Sequence, residues 1–215
     1  MCIRDRYAAV LGCSDARVPI ELIFNEGPND LFVVRLAGNG LGHDALGSLR
    51  YAVDHLGDSL KLIVVLGHTG CGALTTAVDL LLDPSAYLAL ASRHMMRTLL
   101  DRLMLVVHAC ARRMVAQFGP EVVNRPGYRQ ALVEAAVTTN AALAAYSLQQ
   151  ELANIKKNGV RAVYGVYVLS SREVWAPRFG SRDCAGLANP PDDEREFLEF
   201  GDAVMQSDRI AALLD

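Results

Sequence analysis

The sequence of 215 residues predicts an α/β protein with a mostly parallel central β-sheet, helices on its faces and a C-terminal strand pair. Short runs rich in β-branched residues, typical of buried strands, alternate with longer segments whose apolar residues recur at helical spacing. A strand, helix, strand succession of this kind needs a right-handed crossover, which leaves the two strands parallel. Near the end of the chain, two short runs flank a Ser-Ser-Arg turn and predict an antiparallel hairpin.

Each predicted strand is an apolar run bounded by turn-forming residues. The first and third runs end at Gly12 and Gly67, and the second follows a Pro-Asn-Asp turn at residues 28–30. The last two runs are joined by a turn at residues 170–172. In chain order, the predicted strands cover residues 8–11, 30–36, 61–66, 160–168 and 173–175.

The predicted helices are amphipathic segments, three of which stop at a glycine, the usual residue just past a helix end. These glycines are Gly57, Gly119 and Gly159. We expect the two longest helices to cover the sheet, and an acidic helix to start at residues 189–193. The other predicted helices cover residues 41–56, 72–82, 93–118 and 128–158.

Length and composition favour one soluble domain. With 52% hydrophobic and 21% charged residues, the chain is long enough for one sizeable core and too short to require two. A net charge of −3 and a pI near 5.9 provide no basic surface for a phosphate backbone, so nucleic acid is not an expected partner. No uninterrupted apolar run reaches the roughly 18 to 20 residues that span a bilayer, so no membrane association is expected.

The cysteines and the first residues bear on where the protein works. Five cysteines, an odd number at low density, favour a reduced intracellular setting, and we expect a cytoplasmic protein. Residues 1–6 look like a translated sequencing-adapter scar of a truncated metagenomic reading frame. We therefore expect the domain to cover residues 7–215, and the native N-terminus, with any targeting segment in it, to be missing.

Two predicted strand ends carry residues suited to metal chemistry. Cys13, Asp15 and Arg17 follow the first strand, and His68 and Cys71 follow the third. In a parallel sheet, ligands collect in the crevice outside the carboxyl ends of the strands, so both groups should meet there. A three-ligand Cys₂His set leaves a coordination position for water, as catalytic zinc sites do. The sequence therefore predicts a zinc enzyme.

Spacing supports this convergence. If the first strand stays extended past Gly12, Cys13, Asp15 and Arg17 share one face. A spacing of three suits an imidazole at a strand end, His68, and a thiolate in the first turn of the next helix, Cys71. The N-terminus of that helix favours an anionic sulfur.

Three segments resemble the β-class carbonic anhydrases: CSDARVP at residues 13–19, PNDLFVVRLAGN at residues 28–39 and LIVVLGHTGCGA at residues 62–73. The resemblance is strong over residues 7–82 and looser up to residues 160–175. It implies one zinc ion per chain, reversible hydration of carbon dioxide to bicarbonate by a zinc-bound hydroxide, and a homodimer or dimer of dimers. In this resemblance Cys13, His68 and Cys71 would be the zinc ligands.

Two roles remain open for Asp15. Its carboxylate could accept a hydrogen bond from the hydroxide, or it could itself bind the metal and close the site. A bidentate fork from Arg17 would keep it off the metal and ionised, although the pair could also be only a turn-stabilising ion pair. In the closed branch of the family a Trp lies three residues before the first ligand, where this chain has Val10. We therefore expect the open form.

Other assignments are alternatives or non-functional interpretations. A zinc hydrolase of carbonyl sulfide or carbon disulfide, or a non-catalytic zinc-binding protein, would use the same ligands. Two thiolates neutralise Zn²⁺, so activity should favour alkaline pH.

The loop at residues 38–40 is interpreted as a turn only, Cys110 as an inert core thiol, and Cys184 as a loop cysteine without an assigned role.

Overall fold

A computed structural model describes most of the chain. The described residues contain five β-strands. The described residues are 6–56, 59–88, 94–153, 159–177 and 186–215. The strands are β1 (Ala8–Gly12), β2 (Leu31–Arg35), β3 (Leu62–His68), β4 (Arg161–Val168) and β5 (Glu173–Trp175). They form one sheet in the order β2-β1-β3-β4-β5, in which the first four are parallel and β5 is antiparallel to β4. The predicted fold class is confirmed.

The helices follow the predicted segments with small shifts of their ends. They are α1 (Ile20–Ile23), α2 (His43–His55), α3 (Gly72–Leu82), α4 (Ser85–Leu88), α5 (His94–Phe118), α6 (Tyr128–Ala153), α7 (Glu194–Met205) and α8 (Asp208–Leu214). The sequence pattern did not predict α1, α4 or α8. The predicted helix end at Gly57 and residues 154–158 lie outside the described residues.

The core lies on both faces of the sheet because side chains alternate along each strand. The parallel register places Leu11, Val65 and Tyr164 side by side, and all three are buried in the larger cluster with α3, α5 and α6. The neighbouring row, with Val10 and Val64, points to the other face and packs with Ile20 in a smaller cluster.

Helix α6 corrects one sequence expectation. By length and composition alone, its 26 residues, Tyr128–Ala153, could cross a membrane. The sequence had been expected to contain no segment of that kind. However, 78% of its apolar window is buried inside the protein, where it packs against α3, α5, β3 and β4. It is therefore placed as a core helix of this fold.

The register brings the two predicted motifs to one edge of the sheet. Gly12, the last residue of β1, pairs with Leu66 of β3, so Cys13 leaves the sheet beside the end of β3. Strand β3 runs two residues further than predicted and ends at His68. Cys71 is then the N-cap residue of α3.

Candidate metal centre

Three side chains meet at the carboxyl edge of the sheet. The Cys13 and Cys71 sulfurs and a ring nitrogen of His68 all lie within 4.8 Å of one another, and the two Sγ atoms are 4.0 Å apart. All three residues are buried, with His68 completely inaccessible. The predicted convergence of the two motifs is therefore present in the fold.

The orientation of His68 follows from the hydrogen bond on its other side. Its Nδ1 lies 3.0 Å from the carbonyl oxygen of Thr69, and because a carbonyl can only accept, Nδ1 carries the proton. The lone pair of the neutral ring is then on Nε2. Among the described residues this buried Nε2 has no hydrogen-bond partner. A buried acceptor without a donor is costly, and a bound cation would satisfy it.

The two thiols influence each other. The hydrogen bond from Cys71 lowers the pKa of Cys13, assisted by the backbone N–H groups of Asp15 and Gly38. The hydrogen bond to Cys13 and burial raise the pKa of Cys71. Cys13 therefore loses its thiol proton easily. Cys71 keeps its own proton unless a positive charge lies nearby.

The separation of the two sulfurs fits a tetrahedral metal ion. Two thiolates on one zinc-sized ion, with bonds of about 2.3 Å, are about 3.8 Å apart. The observed separation of the Cys13 and Cys71 sulfurs is 4.0 Å. With one imidazole, the set leaves a fourth position free of protein ligands.

Asp15 and Arg17 form a forked ion pair beside the cluster. Arg17 Nε donates to Oδ1 at 2.9 Å and Nη2 donates to Oδ2 at 2.6 Å. These hydrogen bonds hold the pKa of the Asp15 carboxyl well below its usual range. Oδ2 also lies 3.9 Å from Nε2 of His68, so the carboxylate faces the cluster.

The backbone that makes this pair is a turn, which corrects the sequence argument. The extended strand assumed there ends at Gly12. The N–H of Val18 bonds to the Asp15 carbonyl at 3.1 Å, and the N–H of Arg17 bonds to Asp15 Oδ1 at 2.9 Å. The shared direction of the Asp15 and Arg17 side chains comes from this side-chain-capped turn, not from strand alternation.

Arg35 was not among the predicted site residues, yet it fixes the same loop. At the end of β2, its Nε donates to the Cys13 carbonyl at 3.0 Å and its Nη2 to the Asp15 carbonyl at 2.6 Å. A single guanidinium thus holds the carbonyls of two candidate site residues. The available sequence signal was an Arg that closes an apolar strand within the PNDLFVVRLAGN segment.

A family model described as "Carbonic anhydrase" matches residues 8–172 of this chain. The chain belongs to the carbonic anhydrase family. "Carbonic anhydrase 2" of Mycobacterium tuberculosis is 47% identical over 76 residues, which cover 35% of this chain and 36% of that protein. The chain thus matches about a third of the length of this curated relative.

Solved structures support the β-class fold. A tetrameric β-carbonic anhydrase of Sordaria macrospora matches with a TM-score of 0.59 and 20% identity over 80% of each chain. The β-carbonic anhydrase CafA of Aspergillus fumigatus matches with a TM-score of 0.59 and 21% identity, over 94% of this chain and 82% of that one. At these identities the likeness concerns the fold, which is that of the β-class.

In this carbonic anhydrase fold the loop predicted only as a turn also lies against the cluster. Gly38 adopts a left-handed φ of 66°, and its N–H faces the Cys13 sulfur. Its carbonyl accepts a 2.9 Å hydrogen bond from Asn140 Nδ2. A Cβ at Gly38 would lie 3.0 Å from Leu103 and 3.1 Å from Ala73, so glycine is needed for both conformation and space.

A buried carboxyl group, which sequence analysis also missed, approaches the turn between His68 and Cys71. Glu134 of α6 is 5% exposed, and its Oε1 accepts the N–H of Gly70 at 2.9 Å. Burial raises the pKa of Glu134. The available sequence signal was an acidic residue inside an alanine-rich apolar helix.

Cys110, the remaining cysteine among the described residues, takes no part in the cluster. Cys110 is buried on α5, donates to Thr139 Oγ1 at 3.4 Å, and its burial raises the pKa of the thiol to about 11. This agrees with the expectation of an inert core thiol. Cys184 lies outside the described residues.

Proposed function

We propose that this chain is a zinc-dependent enzyme that catalyses the reversible hydration of carbon dioxide to bicarbonate. The observation that carries the proposal is the buried Cys₂His cluster directly beside the Asp15 and Arg17 fork, with a His68 Nε2 that has no hydrogen-bond partner within the described part of the chain. Membership of the carbonic anhydrase family supports it.

Cys13, His68 and Cys71 would hold the zinc ion. The donor types and the 4.0 Å separation of the sulfurs support this assignment. When bound, zinc would lower the pKa of a water molecule at its open position and so supply a nucleophile, with activity favoured at alkaline pH because the two thiolates neutralise the ion.

Asp15 would orient the nucleophilic oxygen. Because Arg17 holds its carboxylate ionised, Asp15 can only accept a hydrogen bond. An oxygen that donates a hydrogen bond to Asp15 would have its lone pairs turned elsewhere, toward the carbon of a substrate bound beside it. Arg17 would also keep Asp15 from binding the metal, because it already holds both carboxylate oxygens.

Assembly into a homodimer or a dimer of dimers is part of the proposal. Several large apolar side chains are more than two-thirds exposed in the single chain, namely Leu22, Leu88, Met95 and Leu105. Contacts between copies would cover such surface. The Sordaria macrospora structure is described as tetrameric. Light scattering on a size-exclusion column tests this, and a monomer at micromolar concentration would contradict it.

A cytoplasmic location is also a proposal. The thiols of Cys13, Cys71 and Cys110 are all free, which supports a reducing compartment.

The enzymatic proposal is tested by stopped-flow measurement of carbon dioxide hydration with a pH indicator. Zinc-loaded protein should accelerate hydration, and protein stripped with a chelator should not. Carbonyl sulfide and carbon disulfide serve as alternative substrates in parallel assays. Turnover of either one without hydration of carbon dioxide would overturn the proposal.

A further inference from the structure

The peptide unit between Thr69 and Gly70 is hydrogen-bonded on both of its edges. On one edge, the Thr69 carbonyl accepts from Nδ1 of His68 at 3.0 Å. On the other, the Gly70 N–H donates to Oε1 of Glu134 at 2.9 Å. Because the C=O and N–H belong to one planar, conjugated group, these two bonds form a continuous chain from the Glu134 carboxyl to the imidazole.

Such a chain has electronic and geometric consequences. An acceptor on the N–H side polarises the peptide and makes its carbonyl oxygen a better acceptor for the His68 proton. It also fixes the plane of the peptide, and hence the direction in which its carbonyl points. Both effects favour the tautomer of His68 that carries its proton on Nδ1 and leaves Nε2 free for the cluster.

Glu134 is held in a fixed position in the core, from which it bonds to the turn. It is 5% exposed on the core helix α6 and lies 64 residues from Gly70 in sequence. The neighbouring part of the turn is fixed independently, since Thr69 N–H bonds to the Tyr167 carbonyl and Thr69 Oγ1 accepts from Leu169 N–H, both at 3.0 Å. Glu134 therefore acts on a polar group of the turn, the Gly70 N–H, that those contacts leave aside.

We propose that Glu134 is a positioning residue that holds the ring of His68, through the Thr69–Gly70 peptide, in the tautomer and orientation that present Nε2 to the metal. In many metal sites a carboxylate bonds directly to the ligand imidazole. Here one peptide unit stands between the two. The inference rests on the proposed function only in taking His68 as a metal ligand.

The variants separate the hydrogen bond from the charge and from packing. Glu134→Leu removes the acceptor, whereas Glu134→Gln keeps an amide oxygen in its place. Gln130→Leu is the matched control, because Gln130 lies one turn earlier on α6, is exposed, and lines the same cavity of about 740 Å³ as Glu134. Circular dichroism establishes whether each variant is folded.

The first readout is zinc affinity, measured by competition with a chromophoric chelator. Loss of a group that supports a ligand typically costs 10–100-fold in metal affinity, and we expect a loss in that range for Glu134→Leu. Glu134→Gln should restore most of the affinity, and Gln130→Leu should match the parent protein. A folded Glu134→Leu protein with unchanged zinc affinity would overturn the proposal.

The second readout needs neither zinc nor activity. Nitrogen-15 spectra of histidine-labelled, metal-free protein report which ring nitrogen of His68 is protonated. We expect Nδ1–H in the parent protein and in Glu134→Gln, and a mixture of tautomers in Glu134→Leu. An Nε2–H tautomer in the folded parent overturns the proposal even if Glu134→Leu does not fold. A protein with the expected tautomer and no hydration activity would contradict the enzymatic proposal alone.

Discussion

Arg17 engages the same oxygen of Asp15 that lies nearest the predicted metal ligands. Its Nη2 donates to Asp15 Oδ2 at 2.6 Å, and that oxygen lies 3.9 Å from Nε2 of His68. Arg17 itself is exposed, with 59% of its side-chain surface accessible. Arg17, on the solvent side, thus holds the Asp15 carboxylate that faces the cluster. Without the Arg17 side chain, Asp15 Oδ2 would be free to approach a metal.

Arg17→Ala should therefore lose most of the hydration rate and keep its zinc. Loss of one preorganised polar contact at a reacting centre costs about 10²–10³ in kcat, and we expect a fall of at least about 10²-fold. The measurements are stopped-flow kinetics and zinc content by atomic absorption. Arg50→Ala, which breaks the exposed ion pair with Asp54, is the control. Loss of zinc from Arg17→Ala would show that the pair is structural.

Cys71→Ser should abolish stoichiometric zinc binding. A hydroxyl is not deprotonated as a thiol is, and it is a poor ligand for zinc, so only Cys13 and His68 would remain. Cys110→Ser changes a buried thiol outside the cluster in the same way and should keep its zinc. Metal analysis after dialysis compares the two proteins, and full occupancy in Cys71→Ser would refute this ligand assignment.

Gly38→Ala should destabilise the protein and weaken the metal centre. The left-handed backbone alone costs a side chain about 1–2 kcal/mol, and the added methyl would also press on Leu103 and Ala73. Gly70→Ala isolates the first effect, because Gly70 has a φ of 64°, close to that of Gly38, with nothing within 4 Å of an added Cβ. Urea unfolding should show a larger loss of stability for Gly38→Ala. Equal losses in both variants would contradict the steric argument.

The Cys110 thiol should make stability fall at alkaline pH. Burial raises its pKa to about 11 in the folded protein, whereas an unfolded thiol titrates near about 8.5. The folded state therefore holds this proton more tightly, and the stabilising contribution is complete below the unfolded pKa and is lost as the pH rises toward the folded value.

Melting temperatures between pH 8 and 10.5 measure this effect. Cys110→Ala should be less stable at neutral pH because of the cavity it leaves, yet its melting temperature should fall less steeply with pH. Tyrosines and lysines titrate in both proteins, so the difference in slope isolates Cys110. Parallel curves would show that the thiol does not contribute.

The fold was largely predictable because the strands are short apolar runs that alternate with amphipathic helices. The end of β3 was misplaced for a local reason. Gly67 was interpreted as the end of that strand, whereas it lies inside it, and a Cβ there would be 3.2 Å from Val137 of α6. Its glycine serves the close packing of a helix on the sheet, which no local pattern reveals.

The candidate ligands were predictable because each motif is compact in sequence and follows a strand. The supporting residues were not, because their contacts join distant segments. Arg35 reaches Cys13 across 22 residues, and Glu134 reaches Gly70 across 64. Without the fold, each was only a charged residue within an apolar pattern.

A zinc titration of metal-free protein, with carbon dioxide hydration measured at each addition, tests the central claim most directly. The account predicts activity that rises linearly with added zinc and stops at one equivalent per chain, because Cys13, His68 and Cys71 form one site. Activity that is absent throughout, or that is already full before zinc is added, would contradict it.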